Sequence, residues 1–196
     1  MNKKYFLTPI IVLIAFCGGE NADVTENNES VETTVSSSVE EPTIDLITAV
    51  LDDDLEAVNQ HIAYGSDINV QDGTFSNTPL NFAGIYGLTD IANALIDAGA
   101  DLNLINDDNF TPLCNAAAWG HTSVVTILLD AGADLSAKCF ETQIGVSVSL
   151  SIAIGAPYSD YIKSLYVDHG EKYNIPYDET KIIEGREKVI ELLRSR

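Results

Sequence analysis

The sequence predicts an all-α fold: a solenoid of about four stacked helix-turn-helix units, closed by a C-terminal capping helix or half-repeat. Three observations predict it. Residues 78–103, TPLNFAGIYGLTDIANALIDAGADLN, return 33 positions later as residues 111–136, TPLCNAAAWGHTSVVTILLDAGADLS. A fixed period of that size belongs to stacked supersecondary units that bury their apolar faces against their neighbours. Weaker copies flank this pair, with Leu46 lying 34 residues before Leu80 and Leu150 lying 37 after Leu113. An Ala follows each of these Leu markers (Ala49, Ala83, Ala116, Ala153). Gly65, Gly99 and Gly132 close the first three units at equal spacing, and Gly170 closes the fourth one residue late.

In chain order, the first element is residues 1–16, which have the form of a secretion signal. Lys3 and Lys4 supply the positive start, and Phe6 to Phe16 is an apolar run too short to span a bilayer. The ending Ile14-Ala15-Phe16-Cys17 resembles a bacterial lipobox, although Phe16 stands where a small residue is usual. The resemblance implies cleavage before Cys17, lipid attachment to its sulfur, and membrane association through that anchor only. Gly18 after the Cys points by the same resemblance to the outer membrane of the bacterial envelope, with the rest of the chain periplasmic. Residues 17–43 are rich in Glu, Ser, Thr and Asn and hold no aromatic residue. Such a stretch cannot bury enough apolar area to fold and reads as an acidic tether.

The repeat domain is expected over residues 44–196, with units at about 44–72, 73–105, 106–138 and 139–174 and a cap at 175–196. Within a unit, Thr78 or Thr111 is a helix N-cap and Pro79 or Pro112 takes the first helical position. Small residues such as Ala83, Ala116 and Ala117 let a short first helix approach its neighbour, and Gly87 or Gly120 breaks the chain. The second helix is apolar at Ile91, Ala92, Leu95 and Ile96, or at Val124, Val125, Ile127, Leu128 and Leu129. Gly99 and Gly132 then end it in a left-handed cap.

Unit three holds Thr111, Pro112, Leu113, Ala116, Gly120, His121, Leu128, Leu129, Gly132, Ala133 and Asp134 in register. This pattern resembles the ankyrin repeat, over about residues 44–174. There are departures. Asn81 and Cys114 stand where the family prefers His. Unit four lacks the Thr-Pro pair, has Pro157 in place of Gly, and follows a longer finger at 138–148. Residues 178–195 read as the terminal cap, with Ile182, Ile183, Val189, Ile190 and Leu193 apolar and Lys181, Arg186, Lys188 and Arg194 polar.

Cys114 and Cys139 lie on the turn side of adjacent units. An oxidising periplasm permits a disulfide between them, and two separate thiols are the alternative. The three His are scattered, so a metal site is not expected. No GxSxG, phosphate loop or HExxH is present. The chain reads as non-enzymatic and without a cofactor.

Charge is one-sided. The formal net charge is −20, and from Tyr5 through Ala137 there are 21 Asp and Glu against no Lys or Arg. From Lys138 onward there are 8 basic and 9 acidic residues. Nucleic acid and anionic surfaces are disfavoured partners for such a field, and a basic protein is favoured. Solubility alone is the competing explanation. The resemblance implies binding through the finger tips and the exposed side of the first helices. On this chain those positions include Phe75 and Tyr86 in unit two, and Asp107, Asp108, Phe110 and Trp119 in unit three. Trp and Tyr are enriched among interface anchors. Trp119 and Tyr86 could equally fill the seam between repeats. The expected function is therefore a periplasmic, lipid-anchored, monomeric protein-protein interaction module. An immunity or protective role against a basic toxin or enzyme is one version. The alternative is a self-associating envelope scaffold without a soluble ligand.

Overall fold

In the computed structural model, Thr78 turns its hydroxyl onto the Asn81 N–H at 3.1 Å, while the Asn81 side chain accepts the Thr78 N–H at 3.0 Å. This reciprocal cap starts α3 (Pro79–Tyr86). Thr111 starts α5 (Pro112–Ala118) by the same hydroxyl bond, accepting the Cys114 N–H at 3.2 Å. The structure describes residues 40–141, 147–149, 163, 167, 170–173 and 178–196. Its other elements are α1 (Leu46–Leu51), α2 (Leu55–Tyr64), α4 (Thr89–Asp97), α6 (Thr122–Asp130), β1 (Lys138–Glu141), β2 (Ser147–Ser149) and α7 (Glu179–Arg194). Cys17, Pro157 and most of the expected fourth unit lie outside the described residues.

Paired helices α1–α2, α3–α4 and α5–α6 stack in sequence order and give the all-α solenoid. The first helices are inner elements, and every residue of α3 from Pro79 through Ile85 is buried. Gly84 lets α5 come close, because a Cβ there would sit 2.7 Å from the Pro112 carbonyl oxygen. The second helices bury one side only: Ile91, Ala92 and Leu95 in α4, and Val124, Val125 and Leu128 in α6. A repeating polar grip joins the units. The Asn69 side chain accepts the Asp101 N–H at 2.9 Å, and one unit later Asn103 accepts the Asp134 N–H at 3.0 Å.

Both departures from the family's His position have a physical role. Asn81 completes the α3 cap and also donates to the Phe110 carbonyl at 3.2 Å, linking adjacent units. Cys114 is bonded to Cys139, with 5.2 Å between their Cα atoms, which ties α5 to the start of β1. β1 and β2 form a two-stranded antiparallel hairpin on the elongated finger, an addition to the helical solenoid. At the N-terminal side, contacts begin earlier than residue 44. Gln60 donates to the Glu40 carbonyl at 3.3 Å, and the buried His61 ring bonds the Ile44 carbonyl at 2.8 Å.

Helix α7 packs on α5 and α6. Its backbone meets the Gly120 turn so closely that a Cβ on Gly120 would lie 2.9 Å from the Gly185 Cα. The placement of Arg186 on the polar side of the cap is corrected, since this residue is only 6% exposed. Ile182, Arg186 and Val189 are spaced at i, i+4 and i+7, so geometry places all three on the inward face. His121 sits in the α5–α6 turn, with its Nε2 bonded to the Ile85 carbonyl at 2.9 Å. Burial holds its pKa below the usual value, against a smaller upward pull from that carbonyl.

Candidate protein-binding face

The fingers at residues 71–77 and 105–110 are built alike. In the first, the Asp72 carboxylate accepts the N–H groups of Thr74 at 2.9 Å and Asn77 at 2.6 Å. In the second, Asn106 accepts those of Asp108 at 3.1 Å and Phe110 at 2.8 Å. The two fingers are bound side by side. Asn106 donates to the Asn77 side chain at 2.9 Å within the interior, and the Asp107 N–H donates to the Phe75 carbonyl at 2.9 Å.

The six residues expected at the partner face are not equally available. Asp107 is exposed, while Asp108, Phe75, Phe110 and Tyr86 are half-buried. Trp119 is 7% exposed and belongs to the hydrophobic core. It closes α5 as its C-cap residue, where the chain turns toward α6. The ring is therefore a seam residue rather than an open anchor. Phe110 also packs against the core, and Phe75 is half-buried, so neither finger phenylalanine is fully open to a partner. A ring half-covered by its own unit and neighbour has less area to offer a partner.

The largest difference from the sequence reading is Tyr173. Its ring stands edge-on to Phe82, with centroids 5.0 Å apart, and to Phe75 at 6.0 Å. Its hydroxyl donates to the Asp72 carboxylate at 3.2 Å, and its carbonyl accepts the Tyr86 hydroxyl at 2.8 Å. Asp72, Phe82 and Tyr173 had no place in the sequence-derived face. A repeat period pairs equivalent positions in adjacent units and carries no signal for a residue that reaches back to a distant one.

These phenols carry a pH expectation. Burial pushes Tyr86 up to about 12. Tyr173 is pushed higher still, first by burial and then by the Asp72 carboxylate, against an opposing pull from the Asn77 amide. In the unfolded chain a phenol ionises near pH ~10. The unfolded state thus releases its protons first as pH rises, and stability present below that value is lost on the way through the folded pKa values. Alkaline titration followed by phenolate absorbance and circular dichroism should show these two rings ionising together with unfolding. Tyr86→Phe should move the transition to higher pH. Unchanged titration in Tyr86→Phe would contradict the assignment.

Among the described residues no group of His, Cys, Asp and Glu is arranged to hold a metal, and no helix is long and apolar enough to cross a membrane. Residues 46–139 match the family model described as ankyrin repeats (3 copies). The chain is also similar to mouse (Mus musculus) protein phosphatase 1 regulatory subunit 27, at 47% identity over 60 residues. That stretch covers 31% of this chain and 38% of the relative, so the chain spans well under half of the relative's length. Fold and family match agree over the same three helical pairs: residues 46–139 are a run of ankyrin repeats, a protein-protein interaction module.

Proposed function

We propose that this chain is a non-enzymatic, lipid-anchored protein of the bacterial envelope that uses its repeats to hold a basic protein partner in the periplasm. The observation that carries the reading is the one-sign field of the first three repeats, which have no Lys or Arg through Ala137. Exposed Asp107 places part of that charge on the finger side, beside the half-buried Phe75 and Phe110. Such a surface speeds encounter with a cationic partner and repels anionic ones. The Cys114–Cys139 bond supports an oxidising compartment. The Lys3-Lys4 start, apolar run and Cys17 support export and acylation. A protective or immunity-type role is the specific version that fits an acidic cover for a basic toxin or enzyme. The mouse relative's name describes a regulatory subunit, which accords with a binding role.

Two measurements test this. Cells given a fatty-acid probe should label the wild-type chain and not Cys17→Ser; equal labelling would refute the anchor. The Cys17→Ser form used as bait in a periplasmic extract should capture a basic protein at low salt. Asp107→Asn with Asp108→Asn should slow its association. That difference should fade as salt shortens the screening length from about 10 Å at 0.1 M to about 3 Å at 1 M. Recovery of only the bait itself or other envelope components would instead favour a scaffold.

A further inference from the structure

We propose that Asp72, Phe75, Phe82 and Tyr86 form a tyrosine-recognition slot on the finger at residues 71–77 and the helix α3 that follows it, which the free chain fills with its own Tyr173. The partner segment that takes this slot presents a tyrosine and must displace the chain's own. The proposal deepens the binding-module reading and rests on it.

Topology sets this contact apart. In a solenoid each unit contacts its neighbours, and stacking requires nothing more. Tyr173 comes from the end of the expected fourth unit, yet Phe75, Phe82 and Tyr86, which it meets, belong to the second, and Asp72 stands at the boundary of the first and second. The contact skips the third repeat, so stacking does not explain it. It does have the features of a ligand contact: an aromatic ring set edge-on against two others, one hydrogen bond from its hydroxyl and one to its backbone.

The two fingers differ at their loop-closing residue. Both need an oxygen there to accept backbone N–H groups, and Asn106 meets that need with an amide. Asp72 closes its loop with both oxygens, Oδ2 accepting the Thr74 N–H and Oδ1 the Asn77 N–H, where Asn106 uses Oδ1 for both bonds. A carboxylate adds acceptor capacity on both oxygens, and here Oδ2 also accepts the phenol O–H of Tyr173. An amide in that place has only one acceptor oxygen. The slot therefore selects a hydrogen-bond donor at the tip of an aromatic ring. It disfavours phenylalanine, which has no donor, and phosphotyrosine, whose charge opposes Asp72.

The test uses the full chain and a fluorescent synthetic peptide of residues 168–177, DHGEKYNIPY. Tyr173→Ala chain, with its slot vacated, should bind the peptide and raise its anisotropy. Wild-type chain should bind it roughly tenfold more weakly or worse, because its slot is already occupied. Peptides with Tyr173→Phe or Tyr173→Ala, or with phosphotyrosine at that position, should bind less well, as should the plain peptide to Asp72→Asn, Tyr173→Ala chain. Helical circular dichroism must show that each variant is folded. Where Tyr173→Ala does not fold, Tyr173→Phe takes its place, keeping the ring and losing the hydroxyl, and the same ordering against wild type is expected. No peptide binding by either folded variant overturns the slot, as does equal binding by variant and wild type. Wild-type dimers that Tyr173→Ala dissolves would make the occupant a second copy and overturn the intramolecular assignment. Because the peptide stands in for no outside protein, a negative result here leaves capture of a basic partner intact. Failure of that capture likewise leaves the peptide result standing.

Discussion

Trp119→Ala is expected to lower unfolding stability by about 3–5 kcal/mol, in the range for truncating a large buried ring. The ring is 7% exposed and lies in the same core cluster as Leu113, Ala117 and Val124. Its removal leaves a void at the joint between α5 and α6, where both chain ends are held by neighbouring units and cannot easily close in. Urea denaturation followed by far-ultraviolet circular dichroism measures the loss. Fluorescence cannot serve for the variant, since the chain has a single Trp, although that ring makes wild-type unfolding easy to follow. Partner affinity of the folded fraction should hardly change. Phe110→Ala provides the contrast: a half-buried finger residue should cost less stability and, if it anchors a partner, about 2 kcal/mol or more of affinity. A Trp119→Ala protein as stable as wild type but unable to bind would return the ring to the interface.

Replacing Cys114 and Cys139 together by Ala should cost about 3.5 kcal/mol, the amount that chain entropy assigns to a cross-link closing a loop of this size. The bond spans a sequence separation of 25 and joins two buried positions, Cys114 at 1% and Cys139 at 2% exposure. Reductant should lower the wild-type urea midpoint and leave the double variant unmoved. An identical response of both proteins to reductant would show that the bond contributes nothing.

The helical pairs of the first three units were legible because local signals agreed with the period: the Thr-Pro starts of the second and third, and the Ala residues, the Gly stops and the apolar spacing of all three. Less legible were features decided by distance along the chain. Arg186 looks polar in any residue-by-residue reading, but its position between Ile182 and Val189 turns it inward. Tyr86 and Trp119 occupy equivalent places 33 residues apart, and Phe75 and Phe110 stand on neighbouring fingers; that much the period shows. Their exposure depends on neighbours, however, and periodicity says nothing about how far a ring is covered. Tyr173 illustrates the limit most clearly. Its contact with Asp72 crosses a sequence separation of 101, and no pattern of period 33 points there. Asn81 and Cys114 were visible as departures from the family pattern, but only the structure shows what each does instead.

The closure of α7 on the Gly120 turn has a consequence for digestion by trypsin. Beyond Lys4, every Lys and Arg lies at or after Lys138, so this protease has no target from Tyr5 through Ala137, folded or unfolded. Arg186 is a target placed on the hidden side of α7, next to the Gly185 backbone that rests on Gly120. The enzyme can cut there only after the helix lifts away. When reclosing is fast relative to cutting, the cleavage rate at Arg186 gives the free energy of that single opening. Trypsin thus becomes a selective gauge of how firmly the terminal helix seals the stack, free of background from the acidic repeats beneath it.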